Sequence, residues 1–197
     1  TAMNRRHAFV LAFGLALSLP LAATSGGPLA AATLRAITVC PEGCEFASIQ
    51  PAIDAASFGD TILIGPGQYV ENLVIQKSLI LRGLDRSTSI IDGGGLGSVV
   101  YVDAGTAVTL AGLTLQGGKA DTGSGILNLG AVTIRDCTIV NNRSLAEQSF
   151  GGALFNYGGT VLVEDSTLDN NESSYGGAIF NTGEVRLYTS QVKGNVG

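Results

Sequence analysis

Histidine occurs once in the 197 residues, at His7, and tryptophan not at all. His7 lies in a leader-like stretch: Arg5 and Arg6, an apolar run Ala8–Leu19, then Pro20 and small residues. Ala30-Ala31-Ala32 and Leu21-Ala22-Ala23 are both plausible cleavage sites, and the whole reads as a secretory signal. A membrane anchor is the alternative, but the run falls short of the ~20 residues a spanning helix needs. Residues 1–32 are therefore expected to be a signal peptide, with Thr1 and Ala2 ahead of Met3 as tag residues. The exported chain then carries no histidine. That excludes Ser-His-Asp and Cys-His nucleophile systems and every His-ligated metal site.

Charge is also sparse, at 14% of residues. Removing Arg5 and Arg6 leaves 9 basic residues against 16 acidic, a net of −7. An acidic chain without a basic stripe is a poor partner for nucleic acid. It also lacks the polybasic cluster that holds proteins on anionic membranes, and no later segment is expected to enter a membrane. Cysteine is limited to three. Cys40 and Cys44, in Cys-Pro-Glu-Gly-Cys, are expected to form a disulfide in an exported protein. The alternative, a pair of metal thiolates, lacks two further ligands.

Glycine is abundant, at 28 residues, and the chain is repetitive. Val108–Gly118, Val132–Asn142, Val161–Asn171 and Val185–Asn195 align without gaps, each preceded by a glycine-led strand beginning at Gly97, Gly123, Gly151 or Gly176. Those glycines are spaced by 26, 28 and 25 residues. Within each unit the apolar alternation breaks once at the same place, as between Ile134 and Cys137, where Arg135 and Asp136 are adjacent polar residues. Two short strands meeting at a corner explain the break. With the glycine-led strand, each unit supplies three strands and so one coil of a solenoid. The fold class is all-β: a right-handed parallel β-helix with a short N-terminal capping helix. Residues 33–58 form the cap and 59–197 the β-helix.

Coil stacking aligns equivalent residues in columns about 4.8 Å apart. Cys137, Ser166 and Ser190 share an inward column, so Cys137 reads as a small core residue rather than a reactive thiol. Asn128, Asn156 and Asn181 form an inward structural ladder, and Asn142, Asn171 and Asn195 a similar turn column. The latter explains Asn142-Arg-Ser and Asn171-Glu-Ser without glycosylation, which both triplets otherwise match. In the cap, Ile49, Ala52, Ile53 and Ala56 fall at helical spacing, with Ser48 as N-cap.

Phe46-Ala-Ser-Ile-Gln-Pro-Ala-Ile-Asp-Ala-Ala56, Gly59-Asp-Thr-Ile, Gly65-Pro-Gly-Gln-Tyr-Val-Glu71, Leu81-Arg-Gly and Ile90-Ile-Asp-Gly resemble the N-terminal region of pectin-lyase-like β-helix proteins. Gly-Gly-Ala-Ile-Phe-Asn resembles the repeats of bacterial surface β-helices. The matched residues are core, turn and cap positions, so the resemblance implies fold more than activity. The esterases of that superfamily imply outward Asp residues flanked by Gln and an aromatic-Gly segment, a set not evident here. The lyases imply Ca²⁺ carboxylates with an Arg or Lys base.

Two candidate sites follow. Asp136 and Asp165 occupy one outward corner position on successive coils, close enough to hold Ca²⁺ or raise a pKa. The competing reading is a solvated corner balanced by a cross-coil Arg135–Glu164 pair. Tyr101, Leu127, Phe155 and Phe180 form an outward apolar row, fit equally to meet a partner or to lie under the loop Arg143–Phe150, while stacking on sugars is the lesser reading in a chain without tryptophan. The functional expectation is an exported, non-catalytic module of the cell surface or extracellular space, needing no cofactor and meeting a polysaccharide or surface protein. The alternative is a polysaccharide-active, Ca²⁺-dependent lyase. The coil edge at Gly194–Gly197 reads either as a surface for end-to-end self-association or as a point inside a longer protein.

Overall fold

The computed structural model describes residues 34–144 and 146–197. Residues 1–32, expected to be a signal peptide, lie outside the described residues, His7 among them. Every strand pairing is parallel. The chain visits three sheets in turn and returns to each one coil later. The sheets have seven strands, from Ala36–Val39 to Glu184–Tyr188; six, from Gly67–Val70 to Gln191–Lys193; and five, from Leu73–Ile75 to Ile179–Asn181. The result is an all-β parallel β-solenoid of about six turns with one short helix among the described residues. No helix among them is long and apolar enough to cross a membrane.

The core is a set of apolar columns running along the solenoid axis. Ile62, Leu81, Leu110, Ile134 and Val163 stack on one sheet, and Ile91, Leu115, Ile139 and Leu168 on another. All nine are fully buried. The corner between these sheets takes the shape that the broken alternation requires. Gly112, Asp136, Asp165 and Thr189 occupy equivalent positions with φ of 63°, 49°, 50° and 47°. Glycine and aspartate tolerate this left-handed region better than most residues, a backbone reason for the aspartates. A second corner repeats the device with Gly117, Asn141, Asn170 and Gly194.

The capping helix runs Ile49–Ala55 and buries Ile49, Ala52 and Ile53. Its N-terminus corrects the expectation for Ser48, whose side chain makes no capping bond. Instead Glu71 accepts from the Ile49 N–H at 2.7 Å and the Gln50 N–H at 2.9 Å, one amide on each carboxylate oxygen. A full negative charge at the helix N-terminus satisfies two orphan donors and complements the dipole, which a hydroxyl does less well. At the other end Lys77 donates to the Asp54 and Ala56 carbonyls. The Gln50 carboxamide also donates to the Val74 carbonyl and accepts from its N–H, occupying the edge of the five-stranded sheet as a neighbouring strand would. Glu71→Ala is expected to destabilise the protein by about 1–2 kcal/mol, and urea unfolding of the two proteins checks it.

Candidate functional site

Cys40 and Cys44 are joined by a disulfide, with Cα atoms 5.4 Å apart. The loop they close lies against the first full coil, where a Cβ on Gly65 would stand 3.1 Å from that of Cys40.

The Asn ladder is continuous. Asn128 Nδ2 donates to Asn156 Oδ1 at 2.7 Å, and Asn156 Nδ2 to Asn181 Oδ1 at 2.7 Å. Each Nδ2 also serves the carbonyl of a turn glycine: Gly130, Gly159 and Gly183. The ladder thus closes the corner between the five- and seven-stranded sheets. The second ladder links Asn142 Nδ2 to Asn171 Oδ1 at 3.0 Å and Asn171 Nδ2 to Asn195 Oδ1 at 2.9 Å. Asn142 and Asn171 have no exposed surface, so neither acceptor triplet offers its amide in the folded protein. Peptide mass mapping of protein folded and secreted by an N-glycosylating host is expected to find both asparagines unmodified.

Cys137 is fully buried. Its N–H donates to Ser166 Oγ at 3.0 Å, and the Ser166 N–H donates to Ser190 Oγ at 3.2 Å, extending the small-residue column. Burial pushes the Cys137 thiol up to about 12, so almost none is thiolate at pH 8. Alkylation by iodoacetamide is expected to be negligible in the native protein and complete in denaturant, as mass spectrometry would read.

Asp136 and Asp165 are both exposed at the corner. Arg86, from the turn after Leu84, pairs with Asp136 at 3.0 Å and also donates to the Asp165 carbonyl at 3.4 Å. The guanidinium therefore reaches across the side-chain-free position of Gly112 to the two coils beyond. Alongside, Arg135 Nε donates to Glu164 at 2.5 Å. Among the described residues no three Asp, Glu, Cys or His side chains gather as a metal-ligating group.

The outward row holds its register: Tyr101, Leu127, Phe155 and Phe180 are neighbours on successive strands of the five-stranded sheet. All four are half-buried. Phe150, at the end of the 143–150 loop, lies over the row, 4.7 Å from Phe180 and 6.2 Å from Phe155 between ring centroids. Tyr175 stacks on Phe150 at 5.2 Å, and Tyr157 packs beside Phe155 at 5.9 Å. The loop covers only part of the face: Tyr157 and Tyr175 remain 61% and 51% exposed. At the other end of the row Tyr101 donates to Asp103 Oδ1 at 3.2 Å, supplying a polar rim. Burial, with the neighbouring carboxylate second, raises the Tyr101 pKa.

Three members of this face escaped the sequence reading, although the signals were there. Tyr157 follows Phe155 by two residues and therefore shares its face. Phe150 and Tyr175 each stand immediately before a Gly-Gly pair, the same position in two repeats, and they are bridge partners. Also missed was a carboxylate on the six-stranded sheet. Asp92 Oδ2 accepts from Gln68 and Gln116 Nε2, both at 2.9 Å, and Oδ1 accepts from the Gly94 N–H at 2.9 Å. Burial raises its pKa, but the bonds from Gln116, Gly94 and Gln68 outweigh that and hold it below the usual value. An Asp flanked by Gln does occur, then, as a single fully bonded acceptor that also fixes a turn.

No family model matches the chain. Over 116 residues it is 32% identical to a cell surface glycoprotein of Methanothermus fervidus, a match taking in 58% of this chain and 18% of that protein. Among solved structures it is similar to pectin methylesterase from carrot, with a TM-score of 0.53 and 15% identity, over 83% of this chain and 65% of that one. The chain thus spans under a fifth of the curated relative and about two thirds of the solved one. At such identity the structural likeness is one of fold, the right-handed parallel β-helix.

Proposed function

We propose that this β-helix is a non-catalytic binding module of an exported, cell-surface protein, and that its binding surface is the aromatic face of the five-stranded sheet. The observation that carries the reading is the cluster of Phe150, Phe155, Phe180, Tyr157 and Tyr175, which stays partly open to solvent although a loop rests on it. A contiguous aromatic patch with a polar rim is a recognition surface more often than an accident of packing. The likeness to a cell surface glycoprotein supports the location. Rigid parallel coils hold the rings in register, so binding needs little ordering of side chains.

The preferred ligand is an extracellular polysaccharide whose sugar rings lie flat on the exposed tyrosines. Affinity electrophoresis in gels containing soluble polysaccharides tests this: the chain is retarded by at least one, and retardation is lost in Tyr157→Ala and Phe155→Ala. A parallel incubation with polygalacturonate and Ca²⁺ yields no unsaturated product. Product formation abolished by Asp136→Ala or Asp165→Ala would overturn the non-catalytic reading.

A further inference from the structure

The chain is acidic overall, with a net charge of −5, yet two guanidiniums face one hollow on its surface. On the outer face of the seven-stranded sheet, Arg82, Ala111 and Arg135 occupy one column on three successive coils. Two strand spacings separate the arginine backbones, roughly 10 Å. Between them Ala111 contributes a methyl and Gly112 no side chain. A hollow of about 340 Å³ opens there, with Arg82 and Arg135 on opposite walls.

The ion-pair pattern singles out Arg82. Arg35, Arg86, Arg135, Arg143 and Arg186 each hold a carboxylate. Arg82 is the one arginine among the described residues whose side chain makes neither an ion pair nor a hydrogen bond to a described residue. Its column neighbours are Leu63 and Ala111. Arg135 uses Nε for Glu164, and its terminal nitrogens make no bond among the described residues. The one acid lining the hollow is Asp136, and Arg86 already neutralises it at 3.0 Å.

We infer that this hollow binds a tetrahedral oxyanion, a sulfate or phosphate ester, between Arg82 and Arg135. A single guanidinium fork saturates the two oxygens of a carboxylate from one side. Two forks on opposite walls call for an anion with oxygens directed both ways, which a sulfate or phosphate ester has. The site lies on a different sheet from the aromatic face and does not depend on it.

Titration calorimetry of the full chain with glucose 6-sulfate, glucose 6-phosphate and glucuronate tests the assignment. At least one ester is expected to bind, and which one identifies the source of the anion. Arg82→Gln and Arg135→Gln each weaken that binding about tenfold or more without changing the melting temperature. Arg82→Lys, which keeps the charge but not the fork, weakens it less, and added salt weakens it throughout. Phe155→Ala leaves it unchanged, which separates this site from the polysaccharide reading. If neither ester binds, if Arg82→Gln binds like the parent chain, or if glucuronate binds as tightly as the esters, the inference is wrong.

Discussion

Replacing Asn156 by alanine is expected to lower stability by about 3 kcal/mol, which for a chain of this size moves the melting temperature down by roughly 10 °C. The side chain is fully buried and every polar atom on it is used. Nδ2 serves the Gly159 carbonyl at 2.8 Å, Asn181 Oδ1 at 2.7 Å and the Glu184 carbonyl at 3.3 Å, while Oδ1 accepts from Asn128. Alanine leaves a turn carbonyl and the Asn128 amide hydrogen without partners in a site that excludes water. Each such orphan costs about 1–3 kcal/mol. Aspartate fares no better, since it discards both donors and buries a charge. Asn181, one coil on and exposed, supplies the control: Asn181→Ala is expected to cost under about 1 kcal/mol. Thermal unfolding followed by circular dichroism reads all three. Equal losses at Asn156 and Asn181 would mean that burial is not what makes the ladder matter.

Gly118→Ala is expected to be at least as damaging, above about 3 kcal/mol, but for a steric reason. A Cβ at Gly118 would stand 1.8 Å from the carbonyl oxygen of Ser124. That oxygen accepts the Val99 N–H at 3.0 Å, a bond between adjacent coils. The methyl must therefore displace the Ser124 carbonyl and break that bond to the neighbouring coil. Gly95 makes the contrast, with φ of 72° and nothing within 4 Å of an added Cβ. There alanine meets only the left-handed penalty of about 1–2 kcal/mol. Denaturant midpoints for the two variants separate close approach from backbone conformation, and near-equal midpoints would refute the steric account.

The difference between those glycines marks what sequence could convey. Periodicity exposes everything that repeats: the three-strand coil, the Asn and Cys/Ser columns, and the corner where Arg135 and Asp136 sit side by side. These features are local patterns made visible by stacking. Interactions between unlike parts of neighbouring coils leave no such pattern. Glu71 caps a helix that begins 22 residues earlier, so a search for N-caps beside the helix finds Ser48 instead. Arg86 belongs to a turn with no counterpart in later units, and its reach to Asp136 depends on the empty position at Gly112. The aromatic face was half legible: strand register gave Tyr101, Phe155 and Phe180, while Phe150 and Tyr175 come from segments between the strands.

The ladders also set how the molecule scales with length. Their rungs join residues 24 to 29 apart in the chain, whichever coil they close. The entropy of closing each rung is therefore nearly constant, and a longer solenoid adds more closures of the same size rather than larger ones. Because each coil finds its partners on the one before it, a chain emerging N-terminus first can complete its structure progressively, with the helix-capped turn as the first template. Insertion or deletion of a whole coil leaves every other rung intact. An architecture of this kind can vary in reach by steps of one strand spacing while keeping each face in register.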